Sequence, residues 1–143
     1  MRNKITFFGA ICLGLALLGC GNTESRPLSI RFSADSTAIV ISDIGETGLF
    51  RLKTNLEKDT AYQQLVSVLQ TPAEDDSTGM ETDWPGKLRM QGDSLWFVPA
   101  NPFVKGKNYL VETMLNTQFA SGGDIVRAKV GHTVKPQQQI LVR

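Results

Sequence analysis

Residues 92–112 read GDSLWFVPANPFVKGKNYLVE, and the order of apolar, proline and glycine positions in this stretch decides the fold. Leu95 and Phe97 stand two apart, the period of a strand with one buried face, which leaves Ser94 and Trp96 on the opposite face. Pro99 lacks a backbone donor and ends the run. A loop with Pro102 and Phe103 follows, Gly106 permits a tight corner, and Tyr109 and Val111 open a second strand of the same period. Tyr109 is placed to bury its ring while its hydroxyl bonds nearby backbone. Upstream, Leu88 and Met90 form a third run across Gly92 and Asp93, which reads as a hairpin. Asp before Gly is the favoured order for a type I′ turn, and here the order is reversed.

Working outward from this stretch, short β-rich runs bounded by turn residues recur at 28–32, 37–44, 48–56, 65–69, 87–90, 94–98, 109–114, 125–130 and 139–142. Their spacing predicts an all-β antiparallel sandwich of about seven to nine short strands. In 48–56 the strand reading rests on Phe50, Leu52 and Leu56 flanking Arg51 and Lys53. Gly122 and Gly123 supply a further connection. Residues 60–69 pull the other way: Tyr62, Leu65, Val66 and Leu69 fall at helical spacing, and Thr60 with Gln63 matches a capping box. Val66, Ser67 and Val68 are poor helix formers and Pro72 closes the run, so the reading is a strand entered by a helical turn.

Leu95, Phe97 and Pro99, then Pro102 and Phe103, then Gly106, Tyr109 and Val111 form a pattern that resembles the penultimate strands of bacterial Ig-like domains. In that family a strand ends in an aromatic and Pro, a Pro-hydrophobic loop follows, and Gly, two residues and Tyr open the next strand. The match covers about 20 residues. It implies an Ig-like sandwich with a tyrosine corner at Tyr109, a structural or binding module, and no catalytic residues. The segment 72–85 and the tail after Gly131 depart from the short loops of that pattern.

The first twenty residues carry an export signal. Arg2 and Lys4 precede an uncharged apolar run, 5–18, that ends at Leu17, Leu18, Gly19 and Cys20. The run is short of the ~20 apolar residues of a membrane span. The tetrad LLGC resembles the lipobox of bacterial lipoproteins, in which the signal is cleaved before a cysteine that carries diacylglycerol. The resemblance implies signal-peptidase recognition at Leu17, Leu18 and Gly19 and lipidation, with palmitate-type chains, at Cys20. The predicted organisation is a cleaved signal peptide (1–19), a lipidated tether (20–27) and a sandwich domain (28–143). Each buried methylene contributes ~0.8 kcal/mol, so two or three chains hold the protein persistently on a bilayer. Gly21 stands where some inner-membrane lipoproteins carry Asp, so the expected location is the cell envelope, at the outer membrane, on its periplasmic face or the cell surface.

Cleavage leaves 124 residues, the 143 of the chain less the 19 of the signal, enough for one domain. Without Arg2 and Lys4 the 15 basic residues fall to 13 against 14 acidic ones, which removes the whole-chain electrostatic case for nucleic acid. Cys12 leaves with the signal and Cys20 takes the lipid, so no disulfide is expected in the domain.

Residues that carry chemistry are few. The single histidine, His132, has no nucleophile and orienter at recognisable spacing, and no GxSxG elbow is present. The loop 74–83, EDDSTGMETD, holds five carboxylates but lacks the alternating ligand order of a calcium loop, and is read as a solvated surface. Trp84, beside Pro85, and Trp96, of opposite parity to Leu95 and Phe97, are the candidate ligand-binding residues, since an exposed indole stacks on a sugar or anchors a protein contact. The expectation is therefore no enzyme, no cofactor and no metal. The predicted protein is an Ig-like accessory or interaction module with an envelope protein as partner. The alternative reading is a carbohydrate or small-ligand binder using the loop aromatics.

Overall fold

The computed structural model describes residues 27–73, 76, 78–118 and 136–143. The lipobox residues Leu17–Cys20, His132, the expected strand at 125–130 and the Gly122–Gly123 connection lie outside them. Eight described strands form two antiparallel sheets: β1 (Ser29–Phe32), β2 (Ile39–Ser42), β6 (Ser94–Pro99) and β5 (Gly86–Gln91) in one, in the order β1-β2-β6-β5, and β4 (Thr82–Asp83), β3 (Val66–Thr71), β7 (Asn108–Thr113) and β8 (Gln137–Val142) in the other, in the order β4-β3-β7-β8. Lettered A, B, C, C′, D, E, F and G in chain order, the strands run ABED in one sheet and C′CFG in the other. That is an immunoglobulin-type sandwich with one short added strand.

Strand alternation builds the core. Directly opposed residues share a face, so the rows Ile30–Ile41–Leu95–Met90 and Phe32–Ile39–Phe97–Leu88 cross the inner side of the first sheet. Val68–Val111 and Gln70–Tyr109–Leu141 face them from the second. Ile39, Ile41, Leu95, Tyr109 and Val111 are wholly buried. Each such aliphatic side chain contributes ~1.5–3 kcal/mol by leaving water.

The stretch 92–112 folds as its sequence implies. Gln91 pairs with Ser94 around a two-residue turn in which Gly92 takes φ 61° and Asp93 does not take positive φ. That is the pattern of a type II′ turn, which places Gly first and accounts for the reversed order. Gly106 turns the second corner at φ 77°, with its N–H donating to Arg143 C=O at 2.7 Å. Tyr109 is wholly buried, and its hydroxyl accepts the Val104 N–H at 2.7 Å, the geometry of a tyrosine corner.

Residues 48–56 are not a strand. Glu46–Asn55 form a helix, α1, and the reason is in the spacing of Leu49, Leu52 and Leu56, three and four apart. Leu52 and Leu56 are buried, Leu49 packs on the core, and Phe50 is 72% exposed. Glu46 in the first turn and Lys53 in the last complement the helix dipole. Lys53 also reaches Asp93 of the hairpin turn at 2.7 Å, an exposed pair worth little by itself.

A 3-10 helix at Thr60–Gln64 does lead into β3, as expected, but its cap is Asp59, whose carboxylate accepts the Ala61 N–H at 2.9 Å, rather than Thr60. Gln63 then closes the free edge of β5: its side-chain carbonyl accepts the Leu88 N–H at 2.8 Å and its amide donates to Leu88 C=O at 3.2 Å. The two-residue β4 had no counterpart in the sequence reading. It is held by pairing with Leu69 and Gln70, and Trp84 N–H donates to Val68 C=O just beyond it.

The β1–β2 turn is built on one carboxylate. Asp35 Oδ1 accepts from Ser33 Oγ at 2.6 Å, Thr37 N at 3.1 Å and Thr37 Oγ1 at 2.9 Å, while Ser33 Oγ accepts the Ala38 N–H at 3.0 Å. These bonds, the Ser33 hydroxyl foremost, lower the Asp35 pKa from 3.8 to about 2. A carboxyl depressed by folding contributes stability above its unfolded pKa and loses it as pH falls through the folded value. The expected result is that wild type is more stable than Asp35→Asn at neutral pH, and that the difference shrinks between about pH 4 and 2. Thermal unfolding of both proteins across that range measures it; a difference independent of pH excludes the turn as the titrating element.

Candidate functional site

Trp84, a candidate ligand-binding residue from its place beside Pro85, packs against its neighbours. Its indole is half-buried, stacked on Phe103 with centroids 6.4 Å apart and 18° between planes, and edge-on to Tyr109 at 5.3 Å. Its Nε1–H donates to Asn101 C=O at 3.2 Å. The ring closes an aromatic cluster with Phe32, Phe103 and Tyr109, and a polar edge satisfied by backbone is the usual condition for burying an indole. Trp96 lies where parity placed it, on the outer face of the β1-β2-β6-β5 sheet, half-buried.

The acidic loop is only partly described, since Glu74, Asp75 and Ser77 lie outside the described residues. Asp76 folds back on its own loop, accepting from Thr78 N at 3.1 Å, Thr78 Oγ1 at 3.0 Å and Gly79 N at 2.8 Å. These bonds, led by the Thr78 hydroxyl, hold its pKa below the usual carboxylate value. Among the described residues no three His, Cys, Asp or Glu side chains come together as a metal site. No described helix is long and apolar enough to cross a membrane.

Just ahead of β1, the Gln137 side chain clamps Leu28. Leu28 N–H donates to its carbonyl at 3.1 Å and its amide donates to Leu28 C=O at 2.8 Å. The start of the first strand is thereby fixed beside β8.

The two outer sheet faces differ in chemistry, and the sequence reading had identified neither beyond Trp96. Across the β1-β2-β6-β5 sheet runs the row Arg31–Val40–Trp96–Arg89, with Lys87 opposite Val98 in the next outward row. Beside it opens a cleft of about 360 Å³ lined by Lys87, Arg89, Val98 and Pro99 among others. Across the β4-β3-β7-β8 sheet runs Leu69–Leu110–Ile140, an apolar row next to Ser67–Glu112–Gln138. Glu112 is held there by Ser67 Oγ at 3.5 Å and by the Gln138 amide. Ile140 and Val142 are 60% and 69% exposed, while Gln137, Gln139 and Leu141 take the inward positions of β8. The run QQQILV places apolar residues on both parities, so alternation within it does not say which set faces the core.

Compared with known proteins, the chain matches no family model, no curated relative and no solved structure.

Proposed function

We propose that the protein is a bacterial lipoprotein of the cell envelope, anchored through Cys20. Its Ig-like domain acts by binding another envelope protein, without catalysis. The observation that carries this reading is the apolar row Leu69–Leu110–Ile140, continued by Val142, on the outer face of the β4-β3-β7-β8 sheet. Outward strand positions are ordinarily polar in a sandwich, and a rimmed apolar patch marks a contact surface. Glu112 and the neighbouring glutamines form the polar rim that such a surface needs for specificity. Lipidation supplies the rest of the mechanism, because confinement to a membrane raises the local concentration of partners held in the same envelope. The lipobox pattern and Gly21 favour the outer membrane as the site of attachment, and the pattern at 92–112 favours the bacterial Ig-like family.

The test compares crosslinked complexes purified in mild detergent from cells making the native protein, an exported Cys20→Ala form, and Ile140→Asp. The native protein is expected to retain one envelope protein specifically, with at least ~10-fold loss in Ile140→Asp, as for a central apolar contact worth ~1.4 kcal/mol or more. Equal retention by Ile140→Asp excludes this face. Mass spectrometry of the mature protein is expected to find an amino-terminal, diacylglyceryl-modified Cys20; an unmodified Cys20 or an intact signal overturns the anchor.

A further inference from the structure

We propose that the opposite face of the sandwich, at the cleft beside β5 and β6, binds an anionic sugar, its ring against Val98 and Pro99 with Trp96 bordering the cleft, and its acidic group between Lys87 and Arg89. This inference is independent of the protein-contact reading, which concerns the other sheet.

Four observations carry it. The first is charge. None of the outward positions paired across the β1-β2-β6-β5 sheet is a carboxylate, while Arg31, Lys87 and Arg89 are all exposed and, among the described residues, make no ion pair. Lys53, by contrast, is neutralised by Asp93. The chain's near balance of charge therefore conceals a sorted surface, basic here and acidic at Glu112 and Asp83 of the other sheet. Arginine and lysine side by side offer the fork and the point charge that hold a carboxylate or sulfate.

The second is shape. A half-open cleft of about 360 Å³ is of the size that takes a small molecule or one end of an oligomer. The third is the ring surface. Trp96 stands directly across from Arg89, Val98 is 39% exposed, and Pro99 adds a further apolar wall. A half-buried indole paired across the strands with an arginine suits a sugar ring that bears an acid, one face of which is apolar C–H. Val40, at 5% exposure, lies between Arg31 and Trp96 in the row.

The fourth counts against the main competitor. An acidic peptide would bind this side most readily by adding a strand to the β5 edge. At Leu88 that edge already gives both its N–H and its C=O to the Gln63 amide. Arg31 is three strand spacings from Arg89, ~14 Å, which gives a second acidic unit of a longer polymer its own cation.

The experiment titrates the full-length purified protein with trigalacturonate, using a neutral trisaccharide and hexaglutamate as comparisons, by calorimetry and tryptophan fluorescence. Trigalacturonate is expected to bind at least ~10-fold more tightly than either comparison and to weaken as salt rises. Arg89→Glu is expected to weaken it by ~10-fold or more through charge reversal, and Trp96→Phe by several-fold with loss of the fluorescence change, both with unfolding midpoints near wild type. Ile140→Asp is expected to bind trigalacturonate normally. Equal affinity for the neutral sugar, equal or tighter binding of hexaglutamate, indifference to Arg89→Glu, or no binding of trigalacturonate each overturns the proposal.

Discussion

Replacing Phe103 with alanine is expected to cost ~3–5 kcal/mol of unfolding free energy, the range for truncating a buried aromatic. Phe103 is 6% exposed and touches every other member of the aromatic cluster: Tyr109 at 4.8 Å, Phe32 at 5.1 Å and Trp84 at 6.4 Å between centroids. It sits on the loop between β6 and β7, so the two sheets share it. One residue later, Val104 N–H reaches the Tyr109 hydroxyl, and the loop that brings this donor into place is seated by the Phe103 ring. Domains of this size carry about 5–15 kcal/mol of stability in all, so roughly a fifth or more of the margin rests on this one ring. Urea unfolding measures the loss, and Trp84 emission is expected to shift to the red as its stacking partner goes. Val104→Ala, at a 46% exposed position, is expected to stay within about 0.5 kcal/mol of wild type. A Phe103→Ala protein within 1 kcal/mol would show that the cavity collapses and that the cluster does not bind the sheets together.

Leu52→Ala is expected to destabilise by ~2–5 kcal/mol, whereas Phe50→Ser is expected to change stability by less than about 0.5 kcal/mol. The contrast separates the two periodicities. In a strand, residues 50 and 52 share a face, and both changes would be costly. In α1 they lie some 200° apart around the axis, and the accessible areas follow: Leu52 is wholly buried and Phe50 is 72% exposed. Leu56, four residues beyond Leu52, is buried at 4% exposure and gives a second position to test. Equal costs at 50 and 52 in chemical denaturation would contradict the helix.

What was legible in the sequence was local. Alternation at Leu88, Met90, Leu95, Phe97, Tyr109 and Val111 marks strands because side-chain direction repeats every two residues whatever the strand's neighbours are. Gly92 and Gly106 mark turns because each takes a positive φ that a side chain resists. The corner at Tyr109 was readable for the same reason, since its partner Val104 is only five residues away. The segment 48–56 was misread because Phe50 and Leu52 fit a strand, while the decisive pattern of Leu49, Leu52 and Leu56 becomes visible only when Phe50 is allowed to be exposed. Exposure is settled by what packs nearby.

The sequence by itself therefore determined the class of fold, the hairpin and the corner of 92–112, and, through the lipobox pattern, the expectation of an anchor at Cys20. The tertiary structure alone decided that Trp84 packs half-buried against the aromatic cluster, and that Ile140 points outward while Gln137 clamps Leu28. It also decided that Arg31, Lys87 and Arg89, spread over 58 positions of chain, share one face. The physical reason is that conformation along the chain follows from each residue and its close neighbours. A surface, by contrast, is composed by strand pairing, which brings residues distant in sequence into one row about 5 Å apart.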